Sequence, residues 1–254
     1  QSARDKQALL RLMADALATA TDEGNQTWPS PEQRQRFIDQ LTDEGRAEHT
    51  VTDDDGETNS YRGYWGLGQI MNAHDGEPPF GTEILTEVGA DLRALDQHMQ
   101  ATDPAWPSSA APFDNDIANS LSPDPTAPGN TSAPMAGLMH AAASNPDAAA
   151  DLITDSGGNL DPYLLDRPWG DLGSGYGDAL EAAAKGDDLE STRLAQEIVN
   201  TFGKNLTEDP HFDDRYDGAR DSLGRLMAAH IDDVNTSAIG GKPYEADFPA
   251  TLRF

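Results

Sequence analysis

The sequence predicts an all-α protein, an irregular bundle of antiparallel helix hairpins with a Pro-rich central linker and a candidate internal repeat. Three observations carry this. Apolar residues recur at spacings of three and four, the helical period. Proline and capping residues open the periodic segments, and glycines close them. No strand-period run of convincing length stands out. The 254 residues suffice for one large domain or two small ones, and 37% of them are hydrophobic.

The first helix carries Leu9, Leu12, Met13, Ala16, Leu17 and Ala20 on one stripe, with Gly24 as its stop. "WPSPEQRQRFIDQLTDEG" opens the second: Ser30 as N-cap, Pro31 in the first turn, Gln33 completing a capping box, and Gly45 ending it. "TVTDDDGETN" reads as a polar loop, and "YRGYWGLGQIMNAH" as a third helix. A fourth, "TEILTEVGADLRALDQHM", lines up Leu85, Val88, Leu92, Leu95 and Met99. Residues 1–101 thus form an N-terminal helical half. From Thr102 to Pro134, seven prolines and many Ser, Thr and Asn make a linker or long surface loop. Helices resume over 135–235. Asn145 caps and Pro146 starts one of them, and Gly186 and Gly203 serve as stops of the next pair. "DGARDSLGRLMAAHIDDVN" is the last, with Leu223, Leu226, Met227, His230, Ile231 and Val234 on one face. The tail, 236–254, is expected to be irregular.

The two halves share a pattern. At a constant shift of 68 residues, Pro78 meets Pro146, Met71 meets Met139, Ala73 meets Ala141, Thr86 meets Thr154 and Gly89 meets Gly157. The common unit is a helix, a Pro-started turn and a second helix with a Gly stop. Such a hairpin cannot bury its apolar face alone, so stacking on its copy is the expected solution.

Composition excludes several function classes. The formal net charge of −28 argues against nucleic acid, whose phosphates need clustered Lys and Arg. It also disfavours anionic membranes, and no apolar run reaches the length of a membrane span. Without cysteine, thiol redox chemistry, disulfides and thiolate metal sites are closed. The start at Gln1, without Met, is expected of a processed product or excised fragment.

"YRGYWGLGQIM", Tyr61 to Met71, resembles the segment that follows the catalytic glutamate of lysozyme-like lytic transglycosylases. That chemistry needs a glutamic acid held in a partly apolar cleft, where a raised pKa makes it a general acid. Glu57 and Glu44 are the candidates. Glu57 stands in an acidic, solvated stretch and is followed by Thr58 where the family has Ser. Glu44 sits at a helix end at the wrong distance, and no proline follows Met71. The resemblance covers only a few residues. The competing reading makes Gly63, Gly66 and Gly68 helix contact points and Tyr64, Trp65, Leu67, Ile70 and Met71 core. It is preferred, and no catalytic residue is assigned.

Other constellations are weaker. "GDLGSGYGD" has no preceding strand and no Gly-Lys-Ser/Thr end of a phosphate loop. "TDDDG" fails the calcium-loop spacing, since the first ligand would fall on Val51. The histidines make no His-x-x-x-His pair, so zinc is not indicated and no metal or cofactor is assigned. His230 is expected to be a satisfied core or boundary histidine. Trp28, Tyr64, Trp65 and Trp169 are the residues singled out for packing between hairpins or, where exposed, for a partner surface.

One resemblance covers more of the chain. "TWPSPEQRQRFIDQL", "YRGYWGLGQIM", "PMAGLMHAAASNPDAAADLI", "YLLDRPW", "GDALEAAA" and "RDSLGRLMAAHIDDVN", taken together in this order, are similar to an uncharacterised all-helical domain. It occurs in large proteins of high-GC Gram-positive bacteria associated with WXG100 modules and type VII export. The similarity runs from about Trp28 to about Asn235. It implies a secreted or cell-surface location and a scaffold or trunk role in a toxin-like multidomain protein, with no established activity. The function expected is therefore a non-enzymatic helical scaffold or protein-interaction module. The alternatives are a lysozyme-like peptidoglycan lytic enzyme and an acidic protein that binds a basic partner.

Overall fold

Small residues decide how the first helix docks. In the computed structural model, which describes residues 3–22, 30–52, 56, 58–102, 134–169, 173–186, 188–209 and 211–230, helix α1 (Ala3–Thr21) buries Ala14, Ala18 and Thr21. These are one turn or nearly one turn apart, and their size lets α1 sit close to its neighbours. The larger Leu9, Leu12 and Met13 of the expected stripe are exposed instead, and Leu17 is half-buried. Thr21 turns its hydroxyl back to donate to the Leu17 and Ala18 carbonyls.

Helix α2 (Pro31–Arg46) begins at Pro31 as expected. The capping box does not form: Ser30 makes no side-chain cap, and the Gln33 N–H is taken by the Ser30 carbonyl. Gly45 does not end the helix. It lies inside it, buried, where a Cβ would stand 2.7 Å from the Tyr64 ring.

The expected polar loop over 50–59 is instead largely a strand pair. β1 (Glu48–Thr52) and β2 (Thr58–Arg62) form an antiparallel two-stranded hairpin, with His49 opposite Tyr61 and Thr52 opposite Thr58. Threonine, valine and tyrosine favour the extended chain. The hairpin's described side chains are exposed or half-buried, so no apolar alternation marks it in the sequence.

Helix α3 (Gly63–Asn72) starts two residues later than expected, because Tyr61 and Arg62 belong to β2. Helix α4 (Thr82–Thr102) points Ile84, Leu85, Val88, Leu92 and Leu95 inward. After the segment 103–133, which lies outside the described residues, come α5 (Pro134–Ala142), α6 (Pro146–Ile153) and α7 (Pro162–Asp166). Asn145 caps α6 as expected, accepting from the Ala148 N–H, while its amide donates to the Phe80 carbonyl and Thr82 hydroxyl. Helix α8 (Ser174–Ala184) leads into α9 (Leu189–Glu208), capped by Asp188. Gly203 does not stop α9, which runs one turn past it. A short α10 (Phe212–Arg215), a 3-10 turn (Asp217–Ala219) and α11 (Arg220–Ala229) complete the described chain. Met227 is exposed, contrary to its place on the expected apolar face. Ile231, Val234 and the tail lie outside the described residues, as does Gly24.

Among the described residues helices dominate, and the fold is all-α apart from one two-stranded hairpin. α3 lies on α5 and α4 lies on α6, the segments that the 68-residue shift aligns. Met71 and its counterpart Met139 are both buried. The copies diverge in their second helices. Gly89 is inside α4, whereas Gly157 is in the turn after the much shorter α6. One hydrophobic core joins Ile38, Met71 and Leu92 of the first half to Leu138, Leu180 and Ile198 of the second. No helix among the described residues is long and apolar enough to cross a membrane.

Candidate functional site

Within the stretch from Tyr61 to Met71, Tyr64, Trp65, Leu67, Gly68, Gln69 and Met71 are buried, whereas Ile70 is only half-buried. The α3–α5 crossing brings backbones together: a Cβ on Gly137 would stand 2.1 Å from the Gly68 carbonyl oxygen, and one on Gly68 would stand 2.7 Å from Pro134 Cα. Gly63 is equally tight, with the Glu44 carbonyl oxygen 2.0 Å from its Cβ position. Gly66 is different. Nothing lies within 4 Å of its Cβ position, so it is not a helix contact point.

Tyr64 is buried, and its hydroxyl donates to Asp91 at 2.6 Å; Arg46 holds both oxygens of the same carboxylate. Burial, then the Asp91 hydrogen bond, pushes the Tyr64 phenol well above its ordinary pKa. For Asp91, burial pushes upward, but hydrogen bonds from Arg46 and Tyr64 prevail and hold the carboxyl below its usual value. Trp65 is buried. Gln69 is buried too, and its amide has no hydrogen-bond partner among the described residues.

The lysozyme-like reading needs a sheltered acid. The Glu44 side chain is 75% exposed, with His49 as its neighbour at 3.8 Å. Glu57 lies outside the described residues.

Trp169 belongs to a second structural cluster. Its ring stacks on Tyr176 at 5.0 Å and lies under the Arg167 guanidinium at 4.6 Å. Arg167 forms a bidentate pair with Asp96 of α4, and Tyr163 and Gln100 also donate to that carboxylate. Tyr216, just after α10, donates to the Leu164 and Leu165 carbonyls of α7. Tyr64, Trp65 and Trp169 are all buried. Trp28 lies outside the described residues.

A concavity lies elsewhere among the described residues. An open groove of about 980 Å³ runs between the α5–α6 turn, α8, the start of α9 and α11. Asp147, Asp151, Asp178, Glu181, Asp188 and Glu190 line it, against Lys185, Arg193 and Arg225. The cations are already engaged. Arg225 reaches Glu181 at 2.7 Å and Asp178 at 3.4 Å; Lys185 pairs with Glu181, and Arg193 with Glu197. Burial pushes the Asp178 carboxyl up, yet contacts from His140 and Ser222 outweigh it and keep the group low. Asp188 is occupied as the α9 cap. Asp147, Asp151 and the Glu190 side chain are exposed and have no ion-pair partner among the described residues.

The chain matches no family model, no curated protein and no solved structure.

Two arrangements escaped the sequence. The groove joins residues from four helices, and no local motif marks it. Asp15 of α1 meets His74 and Asp75, just beyond α3, with one potential ligand atom from each residue within 4.8 Å of the others. Ligand spacing within one segment, the usual signal of a metal site, is missing there. His230 behaves as expected: it is half-buried, with Nε2 2.8 Å from the Ala184 carbonyl oxygen.

Proposed function

We propose that this chain is a non-enzymatic, protein-binding helical module whose acidic groove takes a cationic segment of a protein partner. The observation that carries this reading is the set Asp147, Asp151 and Glu190, three exposed carboxylates on the groove wall without ion-pair partners among the described residues. Charges left uncompensated in a concave surface focus its field and attract an oppositely charged ligand. Much of the remaining polar chemistry is absorbed internally: Asp96 by Arg167, Asp161 by Arg93, Asp91 by Arg46 and Tyr64. The similarity to WXG100-associated helical domains adds the expectation of an exported or cell-surface parent protein.

The test is binding of a fluorescent Lys- and Arg-rich peptide to the full chain at low and high salt. Exposed charge pairs are screened, so affinity should fall steeply as salt rises. The triple variant Asp147→Asn, Asp151→Asn, Glu190→Gln should bind at least tenfold more weakly at low salt. Equal binding by the triple variant would reject the groove as the site.

A further inference from the structure

We propose that Asp15, His74 and Asp75 form a binding site for a divalent transition-metal ion of the Zn²⁺ class. The site lies outside the acidic groove and does not depend on it.

A buried histidine lies at the centre of the site. His74 is 4% exposed, and neither ring nitrogen has a hydrogen-bond partner among the described residues. A buried imidazole left this way is costly, because at least one nitrogen carries a proton that needs an acceptor. Its Nδ1 faces Asp15 Oδ1 at 3.6 Å. That oxygen is itself a buried atom with no hydrogen-bond partner among the described residues. The separation is too long for a hydrogen bond. It is close to the edge of a tetrahedral zinc site, about 3.4 Å for metal–ligand bonds of about 2.1 Å. A cation between the two atoms satisfies both.

Asp75 supplies the third ligand from the rim. It is exposed, and its carboxylate is now held by Arg11 at 2.9 Å. The three ligand atoms lie within 4.8 Å of one another, so a small side-chain adjustment closes the set. Position helps as well. His74 and Asp75 follow the C-terminal end of α3, where the helix dipole favours positive charge. One imidazole nitrogen and two carboxylate oxygens suit Zn²⁺ and its neighbours better than Ca²⁺ or Mg²⁺, which prefer all-oxygen shells. Three protein ligands leave a coordination position for water.

Arg11 makes the proposal specific. Its guanidinium neutralises Asp75 from one side and competes with a metal. Removing it should tighten metal binding, an outcome that a purely structural role for the cluster does not produce.

The experiment is calorimetric titration of the full chain, treated with chelator and desalted, with ZnCl₂ at pH 7 in 150 mM NaCl. Co²⁺ absorbance serves as a second readout. Saturation at one equivalent is expected, with binding weakened at least tenfold in Asp75→Asn and in His74→Asn, and strengthened several-fold in Arg11→Ala. Asp75 is exposed, so its variant folds even where the buried His74 substitution does not. Two results overturn the site: Asp75→Asn binding like the parent chain, or several weak equivalents removed by excess Mg²⁺, which is diffuse attraction to an acidic surface only.

Discussion

Arg167 grips both carboxylate oxygens of Asp96, at 2.8 and 3.2 Å, with the two side chains 0% and 1% exposed. The pair fastens α4 to the segment after α7, and Tyr163, Gln100 and Trp169 complete its surroundings. Desolvating two charges is expensive, so the pair is not a large net source of stability. Breaking it leaves a buried charge alone. Asp96→Asn or Arg167→Leu should therefore cost about 3–5 kcal/mol in urea unfolding. The double variant Asp96→Leu, Arg167→Leu should cost less than the sum of its single changes.

The glycines of α3 separate by their surroundings. Gly68→Ala forces a Cβ against the Pro134 backbone, which cannot rotate away, and should destabilise by about 1–3 kcal/mol. Gly66→Ala meets open space inside a helix and should stabilise by about 0.5–1 kcal/mol. Thermal unfolding of both variants checks the contrast; equal effects would contradict the crossing geometry.

Asp91 sets a pH dependence. Its carboxyl is held below the ordinary value in the folded state. A depressed carboxylate contributes stability above the unfolded pKa, and that contribution is lost as pH falls through the folded value. Urea midpoints should therefore drop below about pH 4. Asp91→Asn should be less stable at pH 7 and show a shallower decline, because its share of the linkage is gone. Parallel pH profiles for parent and variant would remove Asp91 from the account.

Peptidoglycan offers a direct check of the competing enzyme reading. Glu44 is solvent-exposed and not held as a sheltered acid. The purified chain should give no clearing of a peptidoglycan suspension, and Glu44→Gln and Glu57→Gln should leave that result unchanged. Clearing abolished by either single substitution would restore the glycosidase.

Much of the fold was legible because periodicity and punctuation agree along most helices. Pro31 and Asn145 begin their helices as their chemistry dictates. The errors have separate causes. Gly45 carries the chemistry of a helix stop, yet its role is close contact with Tyr64, a partner distant in sequence. Gly203 sits inside α9 with open space around it, and nothing in the structure explains it. The β-hairpin was missed because solvent reaches both faces, and periodicity reports only the boundary between core and water. In α1, large apolar residues suggested the inward face, but close approach selected Ala14 and Ala18. Tyr64, Trp65 and Trp169 stand out in the sequence by their size, and all three are buried. The groove and the Asp15–His74–Asp75 cluster depend on tertiary proximity, which one sequence without a local motif does not encode visibly.

The crossing of Gly68 and Gly137 has a consequence for how the chain assembles. These residues come from opposite sides of the segment 103–133, and the core they seal draws on both. Folding is thus an association event made unimolecular by a covalent tether. Cut within 103–133, the chain becomes two fragments that each lack the surface their apolar faces require. Their structure then depends on how much of each is present, and the tether's contribution is an effective concentration.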